Sequence, residues 1–307
     1  MNAELPTASR NVLCLGEPLV DMICERPVSS LAEADMFVPH FGGSVANVAL
    51  MAARAGARMA LAGGVGADEW GGWLRGQLER AGVDLRHIKL IENMTTPLAL
   101  TTVDHAGQPT FRLYGEARAT VVDALRGGVE QAVAESGGLF ISSGTLVGEA
   151  EREVTMKARE HALGLEHPVI FDPNLRLHRW SSKADAAASA NACVPGALLV
   201  RANAAEARLM TGEDDLERAA LAIRKAGARN VVITDGRNGA MLRGKIRLDA
   251  PFVSSRVVST IGAGGALIAT LVARLQVTGF YEPAIAAALK DAMVVAAQAR
   301  ERWGACD

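Results

Sequence analysis

The segment Val257–Ala273, VVSTIGAGGALIATLVA, carries the glycine cluster best suited to bind a phosphate group. A β-rich run leads into Gly262, Ala263, Gly264 and Gly265, and a helical pattern follows. Backbone N–H groups at a helix start bind anions through hydrogen bonds and the helix dipole when no side chain obstructs them. The same glycines would suit a turn that only needs positive φ. The glycines alone therefore leave both interpretations open.

Two other nucleotide-binding patterns fit the sequence poorly. The chain contains no GxxxxGK[ST] run, so it has no Walker A loop. Gly63, Gly64 and Gly66 follow a strand, but Glu69 stands where a GxGxxG motif needs its third glycine. The pattern does not favour a dinucleotide site.

A second glycine pair precedes a helix near an amide side chain. Gly42 and Gly43 would let a ligand approach the backbone, and Asn47 could offer its amide to hydroxyl groups. The alternative is an ordinary helix start, with Ser44 or Asn47 as the capping residue. A polyol site and a plain helix start both remain open here.

Asn203 and Glu206 open a helical pattern that ends near Gly212. An N-cap Asn with Glu three residues later forms a capping box, which needs no ligand. The functional interpretation instead has Glu206 holding a hydrated Mg²⁺ ion near nucleotide phosphates.

Arg176 closes the run Asp172-Pro-Asn-Leu-Arg176, which follows the carboxyl end of a predicted strand. Open α/β sheets bind ligands at that edge, so Arg176 could bind an anionic group there. A surface ion pair is the alternative.

Short β-rich runs alternate with amphipathic helical patterns through most of the chain. The predicted strands are Val12–Leu15, Met59–Ala62, Leu139–Ser142, Val169–Asp172, Ala197–Arg201 and Asn230–Thr234. The predicted helices, each stopped by a glycine, are Asn47–Ala55, Glu69–Ala81, Glu151–Leu163 and Leu216–Ala226. Such alternation predicts a mostly parallel sheet covered by helices on both faces.

Two segments break this alternation. Residues 17–40 and 94–116 have strand-like alternation without a helical period, and the second turns at His105–Gly107. They predict a small β-structure that projects from the main sheet. The chain shows no repeat or interdomain linker, which predicts a single domain over residues 1–307.

Composition excludes several classes of protein. The 307 residues carry a formal net charge of −2, which argues against nucleic acid or an anionic membrane as the main partner. Four cysteines without CxxC spacing predict buried thiols in a reducing compartment. The amino-terminal segment lacks an apolar core, and no apolar run reaches 18 residues. The sequence predicts a soluble, cytoplasmic protein.

Together these fragments resemble the ribokinase-like (PfkB) family of carbohydrate kinases, and within it the fructokinase-type members. The similar fragments occur in the family's order: GEPLVD at 16–21, GGSVAN at 42–47, GGVGADEWG at 63–71, DPNLR at 172–176, NAAEARLMTG at 203–212, ITDGRNGA at 233–240 and TIGAG at 260–264. The resemblance implies a three-layer α/β/α core with a small β-sheet lid formed by about 17–40 and 94–116. It also implies transfer of phosphate from MgATP to a sugar hydroxyl, in a homodimer joined through the lid.

The resemblance also implies roles for individual residues. Sugar hydroxyls would be bound by Asp21, Gly42, Gly43 and Asn47. The nucleotide and its Mg²⁺ would face Asn203, Glu206, Thr234 and Gly236, with Glu206 acting on the metal through water. The phosphoryl group would lie in an anion hole made by Gly262, Ala263 and Gly264. Fructose is the first expected substrate. A 2-keto-3-deoxygluconate kinase remains open, with Arg176 placed to bind the substrate carboxylate.

One departure from the family pattern affects the chemistry. The family signature is approximately D-T-x-G-A-G-D, whereas this chain has Ser259-Thr-Ile-Gly-Ala-Gly-Gly265. The resemblance places a catalytic base at 265, where glycine has no side chain. It places a carboxylate that helps to hold K⁺ at 259, where serine is uncharged.

Three explanations stay open for this departure. In the first, the chain is a pseudoenzyme that binds sugar or nucleotide. In the second, it is an enzyme with a relocated base or a different acceptor substrate. In the third, the glycine at 265 is an engineered or erroneous residue. Asp172 and Asp235 are candidates for a relocated base.

Overall fold

The computed structural model describes residues 10–114, 125 and 127–306. Its strands, in chain order, are β1 Val12–Leu15, β2 Leu19–Pro27, β3 Val38–Gly42, β4 Met59–Gly66, β5 Asp84–Ile91, β6 Leu98–Val103, β7 Pro109–Tyr114, β8 Gly138–Ser142, β9 Val169–Asp172, β10 Leu199–Asn203, β11 Asn230–Thr234, β12 Ala240–Arg243 and β13 Leu248–Ala250.

Nine strands form one sheet in the order β13-β12-β11-β10-β9-β8-β1-β4-β5. The pairs from β11 to β5 are parallel, and β12 and β13 add an antiparallel edge. All six predicted strands lie in this sheet. Strand β10 begins two residues later than predicted, because Pro195 and Gly196 form a turn before it, and it extends to Asn203.

The helices of the described residues are α1 Ser44–Arg54, α2 Glu69–Arg80, α3 Val129–Ala134, α4 Glu149–Gly164, α5 Lys183–Ala192, α6 Ala204–Thr211, α7 Leu216–Lys225, α8 Ala263–Val277 and α9 Ala284–Ala299. The predicted stops at Gly56, Gly82 and Gly227 follow their helices. Gly164 is instead the last residue of α4, and Glu166 adopts the positive φ of 56°.

The central strand shows why the sheet lies between two layers of helices. Successive side chains of a strand point to opposite faces. Val12 and Cys14 pack into a core with α1, α8 and α9, whereas Leu13 and Leu15 pack into a second core with α3 to α7. Both faces are buried, as expected for a parallel sheet. The predicted α/β fold with a mostly parallel sheet is confirmed.

The remaining four strands form a separate sheet in the order β3-β2-β6-β7, called the small sheet below. Strands β2 and β3 form one antiparallel pair, β6 and β7 form another, and β2 joins them through a parallel pairing with β6. The predicted separate β-structure is thus present, with β3 continuing to Gly42; residues 115 and 116 lie outside the described residues.

The structure also bears on two predictions from composition. The four cysteines, all within the described residues, are buried as thiols. No helix in the described part of the chain combines the length and apolar character that a bilayer crossing requires.

Candidate active site

A cavity of about 440 Å³ lies at the carboxyl edge of the parallel strands, under the small sheet. Ser142, Asp172 and Asn203 reach it from the ends of β8, β9 and β10, and Phe111 reaches it from β7. This edge is where open α/β sheets bind ligands. The small-sheet end of the cavity is lined by Asp21, Gly43 and Asn47, and the glycine-loop end by Gly262, Gly264 and Gly265. Gly42 does not line the cavity but lies beside Asp21.

The glycine-loop end is the amino terminus of a long helix. Helix α8 has 15 residues and Gly262 as its N-cap, with φ at 77°. A Cβ atom on Gly262 would lie 2.6 Å from the Cα atom of Ala305. Gly262 and Gly264 line the cavity, whereas Ala263 donates a 3.5 Å hydrogen bond to the carbonyl of Thr260. A helix start that opens on a cavity favours a bound anion.

Gly265 lines the cavity without a backbone requirement for glycine. Its φ is not positive, and a Cβ built there meets, within 4 Å in the described structure, only the terminal methyl group of Met51 at 3.3 Å. That methyl group ends a flexible side chain. A larger residue at 265 therefore has room to point into the cavity.

Ser259 performs a local structural task. It is fully buried, and its hydroxyl oxygen accepts the N–H of Ile261 at 3.0 Å. It closes the turn before Gly262 as an uncharged group. A cation bound beside this loop would receive no side-chain charge from position 259.

The small-sheet end fixes its glycines by close contacts. A Cβ on Gly42 would lie 2.6 Å from Oδ2 of Asp21, and a Cβ on Gly43 would lie 2.4 Å from the carbonyl oxygen of Glu17. Gly43 also has φ of 94° and precedes α1 as its N-cap. Neither glycine can be replaced without movement, because backbone and a buried carboxylate occupy the space.

Asp21 and Asn47 bring polar groups to this end of the cavity. Burial raises the pKa of Asp21 to about 7, and the charges of Arg176 and His40 oppose that rise. Asn47 lies in the first turn of α1, and its Oδ1 atom is 3.2 Å from Sγ of Cys306. A carboxyl group and an amide suit hydrogen bonds to hydroxyl groups.

Arg176 lies where the small sheet meets the main sheet. It lines the cavity, and its guanidinium is 5.1 Å from the ring centre of Phe111 on β7. Arg179 lines the same wall, as does half-buried Glu17, whose pKa is raised by burial. The wall thus offers positive charge to an anionic substituent of a ligand.

Both oxygens of Glu206 bind backbone groups. Oε2 accepts the N–H of Asn203 and Oε1 accepts the N–H of Leu175, each at 2.8 Å. Oδ1 of Asn203 accepts the N–H of Glu206 at 2.9 Å, which completes the capping box considered from the sequence. A Mg²⁺ ion usually keeps several waters. Because both oxygens of Glu206 already accept backbone N–H groups, a contact to such an ion would run through water.

The other residues expected at the nucleotide lie along the same edge. Asn203 lines the cavity. The lining residues that the structure describes do not include Glu206, Thr234 or Gly236. Thr234 accepts a 3.0 Å hydrogen bond from Nη2 of Arg201, and Gly236 begins a 3₁₀ turn with φ of 52°. No cluster of three or more His, Cys, Asp or Glu side chains suited to a metal occurs in the described ranges.

Arg201, like Glu17 and Arg179, is a charged cavity residue to which sequence reasoning assigned no role. It lies in strand β10, and its Nη1 atom is 3.3 and 3.4 Å from the two carboxylate oxygens of Asp172. Burial raises the pKa of Asp172 to about 6, against the charge of Arg201. The available signal was a charged residue inside an otherwise apolar strand, two positions before the predicted N-cap Asn203.

Known proteins similar to this chain carry sugar-kinase names. The chain is 30% identical over 274 residues to "Probable fructokinase-4" of Arabidopsis thaliana, covering 86% of this chain and 82% of the relative. It is 28% identical over 269 residues to fructokinase-1 of Oryza sativa subsp. japonica, covering 87% and 83%.

Solved structures show the same fold. A fructokinase from Vibrio cholerae O395, in a form with bound fructose, ADP and calcium ion, aligns with a TM-score of 0.83 at 26% identity, covering 97% of this chain and 95% of that one. Aminoimidazole riboside kinase from Salmonella enterica aligns with a TM-score of 0.80 at 23% identity, covering 96% and 95%. The model of the pfkB family of carbohydrate kinases matches residues 9–307. Because that match spans nearly the whole chain, the protein belongs to the pfkB carbohydrate kinase family.

Proposed function

We propose that the protein transfers phosphate from MgATP to a hydroxyl group of a sugar, with fructose as the first candidate, and that its turnover is weakened at Gly265. One observation carries this proposal: a single cavity joins a polar small-sheet end to a glycine-lined helix start. The fructokinase names of its relatives support fructose as the acceptor.

In this proposal the small-sheet end orients the sugar. Asp21 and Asn47 bind hydroxyl groups, with Gly42 and Gly43 keeping the backbone close to the ligand. The N–H groups of the Gly262–Gly264 loop bind the oxygens of the phosphoryl group, and Asn203, Thr234 and Gly236 lie toward the nucleotide. Mg²⁺, when bound, neutralises phosphate charge, and Glu206 would contact it through water. Positioning and charge stabilisation supply much of the rate in phosphoryl transfer.

In this proposal the site lacks a side chain that accepts the proton of the attacking hydroxyl group. Glycine at 265 offers no acceptor, and a positioned general base contributes about 10²–10⁴-fold in rate, or roughly 3–5 kcal/mol of barrier. The chain should therefore bind both substrates and turn them over slowly. K⁺ dependence should be weak, because Ser259 is uncharged and already bonded to Ile261.

Gly265→Asp tests this proposal, with turnover of fructose and of 2-keto-3-deoxygluconate by MgATP as the measurement. The variant should gain about 10²–10⁴-fold in kcat, because the cavity has room for the carboxylate. Gly72→Asp is the matched control, since Gly72 also lies in the first turns of a helix with open space around it. It should leave turnover unchanged.

Three outcomes distinguish the alternatives. Equal turnover in the parent chain and Gly265→Asp contradicts the missing-base explanation and favours a relocated base. Nucleotide or sugar binding without turnover in either protein favours a regulatory binding protein that has lost catalysis. Turnover of 2-keto-3-deoxygluconate in preference to fructose favours the 2-keto-3-deoxygluconate kinase alternative, with Arg176 in the cavity wall as the candidate partner of the substrate carboxylate.

We also propose that two chains associate through the small sheet. Strand β7 is at its edge, and Leu113 and Tyr114 on that strand are exposed. An edge strand with exposed apolar side chains is suited to pair with a second copy.

A further inference from the structure

Arg201 places a buried positive charge directly against the glycine loop. Its side chain is about 10% exposed and lines the cavity. A Cβ atom on Gly264 would lie 3.0 Å from Nη1 and 3.1 Å from Nη2 of Arg201. Glycine at 264 therefore allows the guanidinium to touch the first turn of α8.

The charge of Arg201 is only partly compensated by its neighbours. Its contacts with Asp172 measure 3.3 and 3.4 Å, longer than the 2.7–2.9 Å usual for a strong charge-assisted hydrogen bond. Thr234 accepts one more bond from Nη2 at 3.0 Å. The buried Nε atom has no hydrogen-bond partner among the described residues. Incomplete pairing of a buried cation is costly, so this position indicates a further, anionic partner.

Arg243 shows what a fully paired buried arginine looks like in the same sheet. It lies on β12, outside the cavity, and is as buried as Arg201. Its Nε and Nη2 atoms contact Glu217 at 2.6 Å and Asp249 at 2.7 Å, and Nη1 donates to the carbonyl of Leu242 at 2.9 Å. The two arginines therefore differ in how completely they are paired and not in burial.

The guanidinium and the helix start act on the same region of the cavity. Amides at a helix start bind anions through hydrogen bonds and the dipole, and a guanidinium adds a full charge with planar, paired donors that match phosphate oxygens. Two independent anion-binding features thus meet at Gly264.

We propose that Arg201 is a catalytic residue whose guanidinium binds the non-bridging oxygens of the transferred phosphoryl group, together with the N–H groups of the Gly262–Gly264 loop. The role depends on the proposed sugar-kinase function. In the step, the sugar oxygen forms a bond to the γ-phosphorus while the bond from that phosphorus to the bridging oxygen breaks, and ADP leaves with the electron pair. The hydroxyl proton passes to water, because Gly265 offers no acceptor.

Such a contact should act mainly on the transition state. The developing charge is spread over the oxygens of the phosphoryl group as it passes between the two partners. Removing one preorganised donor from a site of this kind costs about 10²–10³-fold in kcat. The KM for the sugar should change little, because Asp21 and Asn47 lie at the opposite end of the cavity.

The test compares Arg201→Gln, Arg201→Lys and Arg243→Gln. Binding of inorganic pyrophosphate is measured by calorimetry in the parent chain, and kcat and KM are measured in the Gly265→Asp background, where turnover should be larger. Arg201→Gln should weaken pyrophosphate binding about 10–100-fold, as expected for loss of a charged hydrogen bond. It should lower kcat about 10²–10³-fold. Arg201→Lys should fall between Arg201→Gln and the parent, because it retains the charge without the planar donors.

Arg243→Gln separates this role from a structural one. It should lower the unfolding midpoint and leave pyrophosphate binding unchanged, since Arg243 lies outside the cavity. A folded Arg201→Gln that binds pyrophosphate like the parent overturns the proposal. If Gly265→Asp turns over no sugar while Arg201→Gln still weakens pyrophosphate binding, the sugar-kinase function fails and the anion-binding role of Arg201 stands.

Discussion

Glycines at the small-sheet end of the cavity meet different surroundings from glycines at the glycine-loop end. At the small-sheet end, a side chain on Gly42 would strike the carboxylate of Asp21, and one on Gly43 would strike the backbone of Glu17. At the other end, Gly262 needs its positive φ, but Gly265 has an ordinary backbone and one flexible neighbour. Glycine is thus required at 43 and 262, where φ is positive and backbone atoms lie close. A side chain at 42 would have to displace the side chains of Asp21 and Leu19, whereas position 265 does not require glycine.

This difference separates glycines that the backbone requires from a glycine that another residue could replace. A glycine that backbone contacts enforce says little about chemistry, because no other residue fits there. Gly265, with an ordinary φ and only the flexible Met51 side chain near its Cβ position, leaves room in the cavity for a side chain. The following predictions test whether that distinction holds.

Gly43→Ala should have the largest effect on stability. The substitution adds strain at φ of 94° to a contact of 2.4 Å with the carbonyl oxygen of Glu17, so we expect a loss of about 3–5 kcal/mol in the free energy of unfolding. Urea titration measures it. Gly56→Ala is the matched control, because Gly56 has φ of 89° with nothing near its Cβ position, and it should lose only about 1–2 kcal/mol. Equal losses in the two variants would show that the contact is easily relieved.

Asp21→Asn should change how stability depends on pH. Burial raises the pKa of Asp21 from 3.8 to about 7, so the carboxyl favours its neutral form in the folded chain. Its contribution to stability is therefore complete below about pH 4 and is lost as the pH rises through about 7. The free energy of unfolding of the ligand-free protein, measured at pH 5 and pH 8, should differ less in Asp21→Asn than in the parent. Part of the dependence should remain, because the pKa of Asp172 is raised in the same direction.

Asp35→Asn provides a control of opposite sign. A hydrogen bond from Arg26 lowers the pKa of this exposed carboxyl, so its stabilising contribution is lost as the pH falls. Its removal should not reduce the loss of stability between pH 5 and pH 8. An unchanged pH dependence in Asp21→Asn would mean that the carboxyl is solvated in the folded protein.

Gly265→Ala should have the smallest effect. Alanine has a higher helix propensity than glycine, and only the methyl group of Met51 must move by a few tenths of an ångström. We expect the free energy of unfolding to stay within about 1 kcal/mol of the parent value. A loss well beyond that would show that the start of α8 requires glycine at 265, and would remove the distinction between the two ends.

The sequence predicted the fold well because its strong signals are local. Apolar runs predicted six of the nine strands of the main sheet, three of the four predicted glycine stops follow their helices, and the loss of helical period indicated the small sheet. The site was predicted in part. The spacing of Asn203 and Glu206 predicted a capping box, which is present. The spacing alone could not show that Glu206 also accepts the N–H of Leu175.

Contacts between distant parts of the chain could not be predicted from spacing. Arg201 becomes informative only because the fold brings Gly264 against it, and Ala305 packs against Gly262 from near the end of the described residues. The expected loss of a base at Gly265 rests on the resemblance to the family alone, since a glycine in a glycine-rich loop has no local signature of its own.

The parallel pairing of β2 with β6 has a consequence for the order of folding. The pairs β2–β3 and β6–β7 are each local, but joining them brings Val20 beside Leu98 across α1, β4, α2 and β5. Closing the long segment between β2 and β6 costs chain entropy, and the contacts within the two local pairs do not offset that cost. The intervening elements belong to the main core and shorten that distance once they have packed. We therefore expect the small-sheet end of the cavity to assemble after the main sheet has formed.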